Sequence, residues 1–456
     1  MRRTVVAEEK ILPEIVKLGK TDGYIPGLII GQCSESRDFI VHFAKTPLPI
    51  GKTNDGENDE SGDGKKNQKK SLENLSDIKE SWIVDHAKQV TRMLPGGLWV
   101  LGLFVTGTGD VLSNSASQSK VTSLLQGLTK ALEKNPNLLG NSPSTEKLAL
   151  HLVSGTNKVT CMSYDVTKTT SPLRATDFKF TNLKWLQLDS QYDCDLLPPL
   201  LITDQLTNNP LRKHLQNILE MVIRGVQKSL CVIDGEVRQD DEALDKTDSS
   251  KCSKADKKAQ ESKIYQVNLY IPNELGDIDE TVSSVLGEMK CTGVLASRVF
   301  VHQKATVAEA SQAVKEDIIR SFAARLEMHW DSLVEEEIGS PEETIVVHEP
   351  PRRVLIPLPY SKVALSDYLF PGEGPSEALV SILDLIGVKV SESAVYKDFE
   401  GQPDQCDLYN LTTNVDPPKN EDISVSPPSH SLFLLSGIAI AFVILLVSLF
   451  IQFYIK

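Results

Sequence analysis

The stretch "HAKQVTRMLPGGLWVLGLFVTG", His86–Gly107, decides how this chain folds. Upstream of it, Leu75, Ile78, Trp82, His86, Val90 and Leu94 recur every three or four residues, the spacing of one helix face. Pro95 disfavours helical backbone at the residue before it, and Gly96 and Gly97 tolerate a tight reversal. "LWVLGLFV" then follows with no polar residue, which predicts a central strand covered on both faces. His86, Arg92, Met93, Pro95, Gly96, Gly97 and Gly102 form the structural motif of this helix–turn–strand joint. The question is whether the joint frames an active site.

Working outward, "GLIIGQC" and "DFIVHFAK" read as two strands joined by the polar turn "SESR". The first twenty residues, "MRRTVVAEEKILPEIVKLGK", read as a short amphipathic helix and not as a secretory signal, since they lack an uninterrupted apolar core. Downstream, Val121, Leu124, Leu125, Leu128 and Leu132 mark a second helix, and "EKLALHLV" with "KVTCMSYDV" a hairpin. Residues 1–170 therefore read as an α/β (α+β) domain, a mixed sheet flanked by helices. Its insertion 51–71 is too polar to fold.

Residues 171–390 read as a second α/β region with a charged linker at 235–263. Asn209-Pro210 opens a helix with Leu211, Leu215, Ile218, Val222 and Val226 on its apolar face. "IYQVNLYI" is a strand. A capping box, Thr306 to Glu309, starts a long helix carrying Ala310, Val314, Ile318, Phe322 and Leu326 on one side. "PRRVLIPLPY" and "EALVSILDLIGVKV" close the body as a strand and a helix, and 391–430 reads as a flexible, Pro-containing stalk.

The segment 431–451, "SLFLLSGIAIAFVILLVSLFI", carries no charge, and about 21 residues at ~1.5 Å rise span roughly 31 Å, enough to cross a bilayer. Its anchoring residues are Leu432, Phe433, Leu434, Leu435, Ile438, Ile440, Phe442, Val443, Ile444, Leu445, Leu446, Val447, Leu449, Phe450 and Ile451. With no N-terminal signal, this predicts a single-pass tail anchor with the bulk of the chain in the cytosol. Asn74-Leu-Ser76 and Asn410-Leu-Thr412 are sugar acceptors only if they reach a lumen.

Composition narrows the chemistry. Of 456 residues, 40% are hydrophobic and 24% charged, ordinary for folded protein, and the net charge of −14 argues against a nucleic-acid partner. Seven scattered cysteines (33, 161, 194, 231, 252, 291 and 406) form neither a disulfide framework nor a zinc spacing. "IGKTN" lacks the glycine of a phosphate loop, since Thr46 stands five positions before Gly51. His86 lies on the apolar stripe of its helix, which favours a packed, hydrogen-bonded imidazole. His42 and His151 lie inside strands, and "EMHW" at His329 is a helix face. Cys33 would need a histidine from elsewhere to act as a nucleophile. The residues themselves call for no cofactor and no metal.

The joint "HAKQVTRMLPGGLWVLGLF", together with "GLIIGQCS" at Gly27–Ser34 and the terminal apolar span, closely resembles the odorant-response-abnormal protein four family over the whole chain. The resemblance implies an MPN-like (JAMM-type) N-terminal domain and a membrane-anchored protein of the endoplasmic reticulum. It implies as partners the cysteine protease specific for the ubiquitin-fold modifier, paired through MPN-like halves, and seven-helix receptors. Active JAMM enzymes follow this strand with His-x-His-Pro and an aspartate that hold zinc. Here "VTGTGD" follows, and Val105, Thr106 and Gly107 supply no imidazole, leaving Asp110 alone.

The expectation is therefore a non-catalytic pseudoenzyme and adaptor. The rival from another class is a hydrolase with an unconventional site at Cys33 or His86. A tail-anchored fusion protein would need heptads before the span, which the Pro-rich stalk does not provide.

Overall fold

The structure, a computed structural model, describes residues 3–18, 23–48, 72–107, 111–140, 142–155, 158–168, 171–205, 210–245, 263–272, 284–336 and 349–401. They belong to one compact unit. The insertion 51–71, Asp110, Asn209 and the segment 431–451 lie outside the described residues, as does most of the span 391–430. Among the described residues, no helix is long and apolar enough to cross a membrane.

The first half builds an eight-stranded mixed sheet from β1 (Thr4–Glu8), β2 (Ile25–Cys33), β3 (Arg37–Lys45), β4 (Trp99–Gly107), β5 (Glu146–Val153), β6 (Val159–Asp165), β7 (Arg174–Ala175) and β8 (Asp177–Thr181). The spatial order is β7-β6-β5-β4-β2-β3-β1-β8. β4 lies near the middle, antiparallel to β2 and parallel to β5. All nine of its residues are buried, so the apolar run forms the two-sided strand its composition demands. One face packs Leu28, Val41, Val100 and Leu103 under helices α2 (Glu80–Met93) and α3 (Ser115–Leu132). The other packs Ile29, Phe43, Leu101 and Phe104 with Ile11 and with Ile15 of α1 (Leu12–Leu18). The short α4 (Pro136–Leu139) follows α3.

Three expectations are corrected here. The N-terminal twenty residues are not simply a helix: Thr4–Glu8 form β1, parallel to both β3 and β8, because "TVVA" finds an apolar slot in the sheet. α2 begins at Glu80 and not at Leu75, which lies in a one-turn 3₁₀ segment. Its core face is set by Ile83, Ala87 and Val90, with Trp82 only half-buried beneath Lys79.

The second half carries β9 (Trp185–Leu196), β10 (Pro199–Leu201), α5 (Ile202–Gln205), α6 (Pro210–Lys228), β11 (Leu230–Ile233), β12 (Ile264–Tyr270), β13 (Val285–Glu288) and β14 (Cys291–His302). After these come α7 (Val307–Glu336), β15 (Arg352–Pro357), β16 (Ala364–Leu369) and α8 (Pro375–Leu385). Strands β11-β12-β9-β14 form a four-stranded sheet, whose inner face buries Leu188, Tyr192, Val267 and Val299 with Ile218, Val222, Val314 and Ile318 from α6 and α7. β10 pairs with β13, and β15 with β16.

Two stretches read as flexible are partly folded. Residues 235–245 lie against the body, with Leu244 buried and its N–H donating to the Ala305 carbonyl. Residues 391–401 are also part of the body, because Val395 and Glu400 are buried there.

Candidate functional site

Each group of the joint can be followed to its partner. Leu94 N donates to Thr91 O and ends α2. Gly97 has φ +77°, the left-handed region that glycine tolerates. The Cβ that Gly96 lacks would lie 2.0 Å from the Ala313 carbonyl oxygen and 2.5 Å from Asp317 N, so α7 backbone occupies the space a side chain would need and the turn fits only with glycine there. Gly102 does the same inside the sheet, where a Cβ would lie 1.9 Å from the Leu148 carbonyl oxygen of β5.

α7 answers the turn with charge. Asp317 accepts from Gly96 N at 2.8 Å, from Ser297 Oγ at 2.7 Å, and from Arg353 Nη1 and Nη2 at 2.7 and 2.8 Å. Both side chains are 1% exposed. Burial alone would push the Asp317 carboxyl up, but Arg353 and the other donors outweigh it and hold it below its ordinary value. Burial likewise opposes the Arg353 charge, and Asp317 more than restores it, so the guanidinium lies above its ordinary value. Arg353 also donates to Ser366 Oγ and the Ala296 carbonyl, which leaves no guanidinium nitrogen idle.

Arg320, three residues along α7, donates to Leu98 O at 3.1 Å and to Thr91 O at 2.9 Å, neutralising the carbonyl end of α2. Burial pulls its guanidinium below the ordinary value, against the attraction of Glu316 and Asp317. Glu400 accepts from Arg353 N, Ala296 N and Arg325 Nη2. At the rim, part-buried Arg92 pairs with Glu327 at 2.8 Å, and Met93 is buried.

The two sequence motifs meet directly. Gln32, in "GLIIGQCS", donates through Nε2 to the Gly97 carbonyl at 3.1 Å and accepts His302 N at 2.8 Å. One amide thus joins β2, the joint and β14.

His86 is a clamp. Nε2 donates to Leu385 O at 2.7 Å, so Nδ1 is the acceptor, receiving the Thr46 hydroxyl at 3.0 Å. His42 donates through Nε2 to the next carbonyl, Ile386, at 2.9 Å, and accepts from the Tyr360 hydroxyl at Nδ1. Two imidazoles of the first half therefore hold the C-terminal end of α8. Burial depresses both rings, His42 to about 4, which keeps them neutral. Thr46 and His86 have the atom types of a nucleophile and its base, but both are buried and each nitrogen of His86 is engaged.

Cys33 has Ser142 Oγ as its neighbour at 3.3 Å, and burial pushes its thiol up. At the end of β4 stand Val105, Thr106 and Gly107, with the Tyr24 ring against Gly107 and His151 opposite Val105 on β5. These residues do not suit a zinc ion that needs two imidazoles and a carboxylate. Among the described residues, no group of three His, Cys, Asp or Glu stands where it could hold a metal ion. A separate polar cleft of about 660 Å³ lies over the outer face of the four-stranded sheet, lined by Asp189, Gln266, Arg298, Tyr396 and Phe399. Arg298 is bound there to Asp189 at 2.7 and 2.9 Å and lies over both aromatic rings.

The fold and this site define a mixed α/β protein whose signature joint is a fastening, closed by a long helix from the other half of the chain. Residues 27–397 match the family described as ODR4-like, odorant response abnormal 4-like. The chain belongs to that family. It is 28% identical to the protein odr-4 homolog of Xenopus laevis over 98% of this chain and 97% of that one, and 30% identical to that of Homo sapiens over 85% and 83%. It is 25% identical to the odorant response abnormal protein 4 of Caenorhabditis elegans over 71% and 66%. Among solved structures, the crystal structure of UfSP from C. elegans matches with a TM-score of 0.42 at 8% identity, over 86% of this chain and 57% of that one.

Proposed function

We propose that this protein is a non-catalytic adaptor whose folded body is an MPN-like pseudoenzyme, held at the endoplasmic reticulum membrane by residues 431–451. On this reading it brings the ubiquitin-fold-modifier-specific cysteine protease to that surface and supports maturation and delivery of membrane receptors. The observation that carries it is that the turn is spent on holding the body together: Asp317 takes the Gly96 amide, Gln32 and Arg320 take the Gly97 and Leu98 carbonyls, and both nitrogens of His86 are engaged by Thr46 and Leu385. Membership of a family named for odorant response supports the receptor part. The protease and the membrane follow from the sequence resemblance and the apolar segment. Tethering acts by raising a partner's effective concentration at the surface and needs no reaction at the tether.

The test is capture of the full-length chain from detergent-solubilised membranes of cells expressing the modifier protease. The protease is expected to co-purify, and its membrane-associated fraction is expected to fall when residues 431–451 are removed. Membrane distribution of the protease that ignores the presence of this protein, or sugar on Asn410, contradicts the reading.

A further inference from the structure

Cys194 on β9 and Cys291 on β14 share the inner face of the four-stranded sheet, near the end from which β10 and β13 lead away. The register places Cys291 opposite Leu196 and Cys194 opposite Gly293, so the two thiols are diagonal neighbours on one face. Gly293 has no side chain, and nothing lies within 4 Å of the Cβ it lacks. Cys194 is therefore not covered by a cross-strand neighbour and leans towards Cys291. Their Sγ atoms are 3.8 Å apart, and Cys194 Sγ is 3.7 Å from the Cys291 carbonyl oxygen. Cys194 is buried, whereas Cys291 is half-buried.

We propose that Cys291 and Cys194 form a reversible dithiol–disulfide site, closed by a hydroperoxide and reopened by a small thiol, with Cys291 as the attacking sulfur. The geometry sets the roles, since Cys291 is the less buried residue of the pair and Cys194 is enclosed against it. Protonation agrees: the hydrogen bond from Cys194 pulls the Cys291 thiol below its ordinary value, while that bond and burial push Cys194 up.

The Cys291 thiolate attacks one peroxide oxygen, and the O–O bond breaks. The departing oxygen takes up a proton and leaves as water or an alcohol. Sulfur is oxidised to the sulfenic acid and the peroxide is reduced. Cys194 sulfur then attacks Cys291 sulfur, the S–OH bond breaks, and hydroxide leaves as water with the Cys194 proton. Two equivalents of small thiol reverse the process and depart as their own disulfide. The bridge ties the outer end of the β9–β14 ladder, residues 97 apart in the chain.

The experiment treats full-length, reduced protein with hydrogen peroxide, removes the peroxide, alkylates the remaining thiols in denaturant and maps peptides without reduction. The expected result is one linked peptide pair containing Cys194 and Cys291, loss of those two alkylatable thiols, and their return with dithiothreitol, while Cys33 and Cys161 stay alkylatable. C194S should leave a sulfenic acid at Cys291 that dimedone traps, and C291S should leave Cys194 alkylatable. Retention of both thiols at peroxide levels that oxidise Met289, a disulfide from either to Cys252 or Cys406, or arrest of the wild type at a Cys291 sulfinic acid would each overturn the proposal.

Discussion

β4 is held on its two sides by opposite means. Towards the sheet it is held by apolar side chains and by Gly102, with no charge involved. At its entry, the turn Pro95–Gly97 is held to α7 by buried ions, Asp317, Arg320 and Arg353. The apolar side stabilises in proportion to the area it removes from water, at roughly 25 cal/mol per Å². The ionic side contributes less in net terms, because desolvating two charges offsets most of their attraction. We expect its value to lie in specificity: any other docking of α7 would leave a buried charge without its partner. One side sets how tightly the body holds and the other sets where the halves meet.

The comparison can be broken most forcefully at Asp317. D317A leaves the Arg353 guanidinium buried without its counter-charge and Gly96 N without an acceptor, and is expected to cost about 3–5 kcal/mol in chemical unfolding. Replacing both partners, D317L with R353M, should recover part of that loss. A double variant no better than D317A would show that Asp317 acts through its other donors and not through the ion pair.

The next effect, on the order of 3 kcal/mol, is a pH dependence centred on His42. Its folded-state value of about 4 lies below the ordinary 6.5, so the unfolded chain binds a proton between those pH values that the folded chain does not. Stability is therefore full above about pH 6.5, falls as the pH drops towards 4, and levels off in this contribution below that. His302, depressed to about 4 chiefly by burial, adds to the same limb. H42Q should flatten the acid limb of unfolding midpoint against pH, and an unchanged limb would count against a buried, neutral clamp.

On the apolar side, G102A forces a methyl into the Leu148 carbonyl and should cost about 1–3 kcal/mol by thermal unfolding. Smallest of all is R92A. Its ion pair with Glu327 is a third exposed on both sides, so the change should stay below about 1 kcal/mol and shrink further in salt.

The same contrast explains what could be read from the chain. "LWVLGLFV" was legible as a central strand because every residue in it is apolar, and the helix before it because its apolar residues repeat. α7 was legible only on one face. Ala310, Val314 and Ile318 mark the side packed on the second sheet, while the side facing the joint carries Ala313, Asp317, Arg320 and Ala324 and reads as wet. A signal was present: on that side small residues stand next to Asp and Arg at spacings of four, three and four, with no lysine. Its meaning depends on Arg353, 36 residues further on, and Gly96, 221 residues back, and no local pattern reports such separations.

β1 was hidden because five strand residues run into the helical-looking "EEKILPEIVKL". Glu400, within a stretch that reads as stalk, shows its role only through Arg325, Ala296 and Arg353. His86 was legible as structural, but its partners Thr46 and Leu385 were not.

The claim that the joint is a fastening is tested most directly by native-state hydrogen exchange of the full-length protein and its D317N variant. The account predicts that D317N lowers protection together in residues 94–104, in β14 and in β15, as expected for segments held by one clasp. Protection lost in α7 alone, with β4 and β15 exchanging as in the wild type, would contradict it.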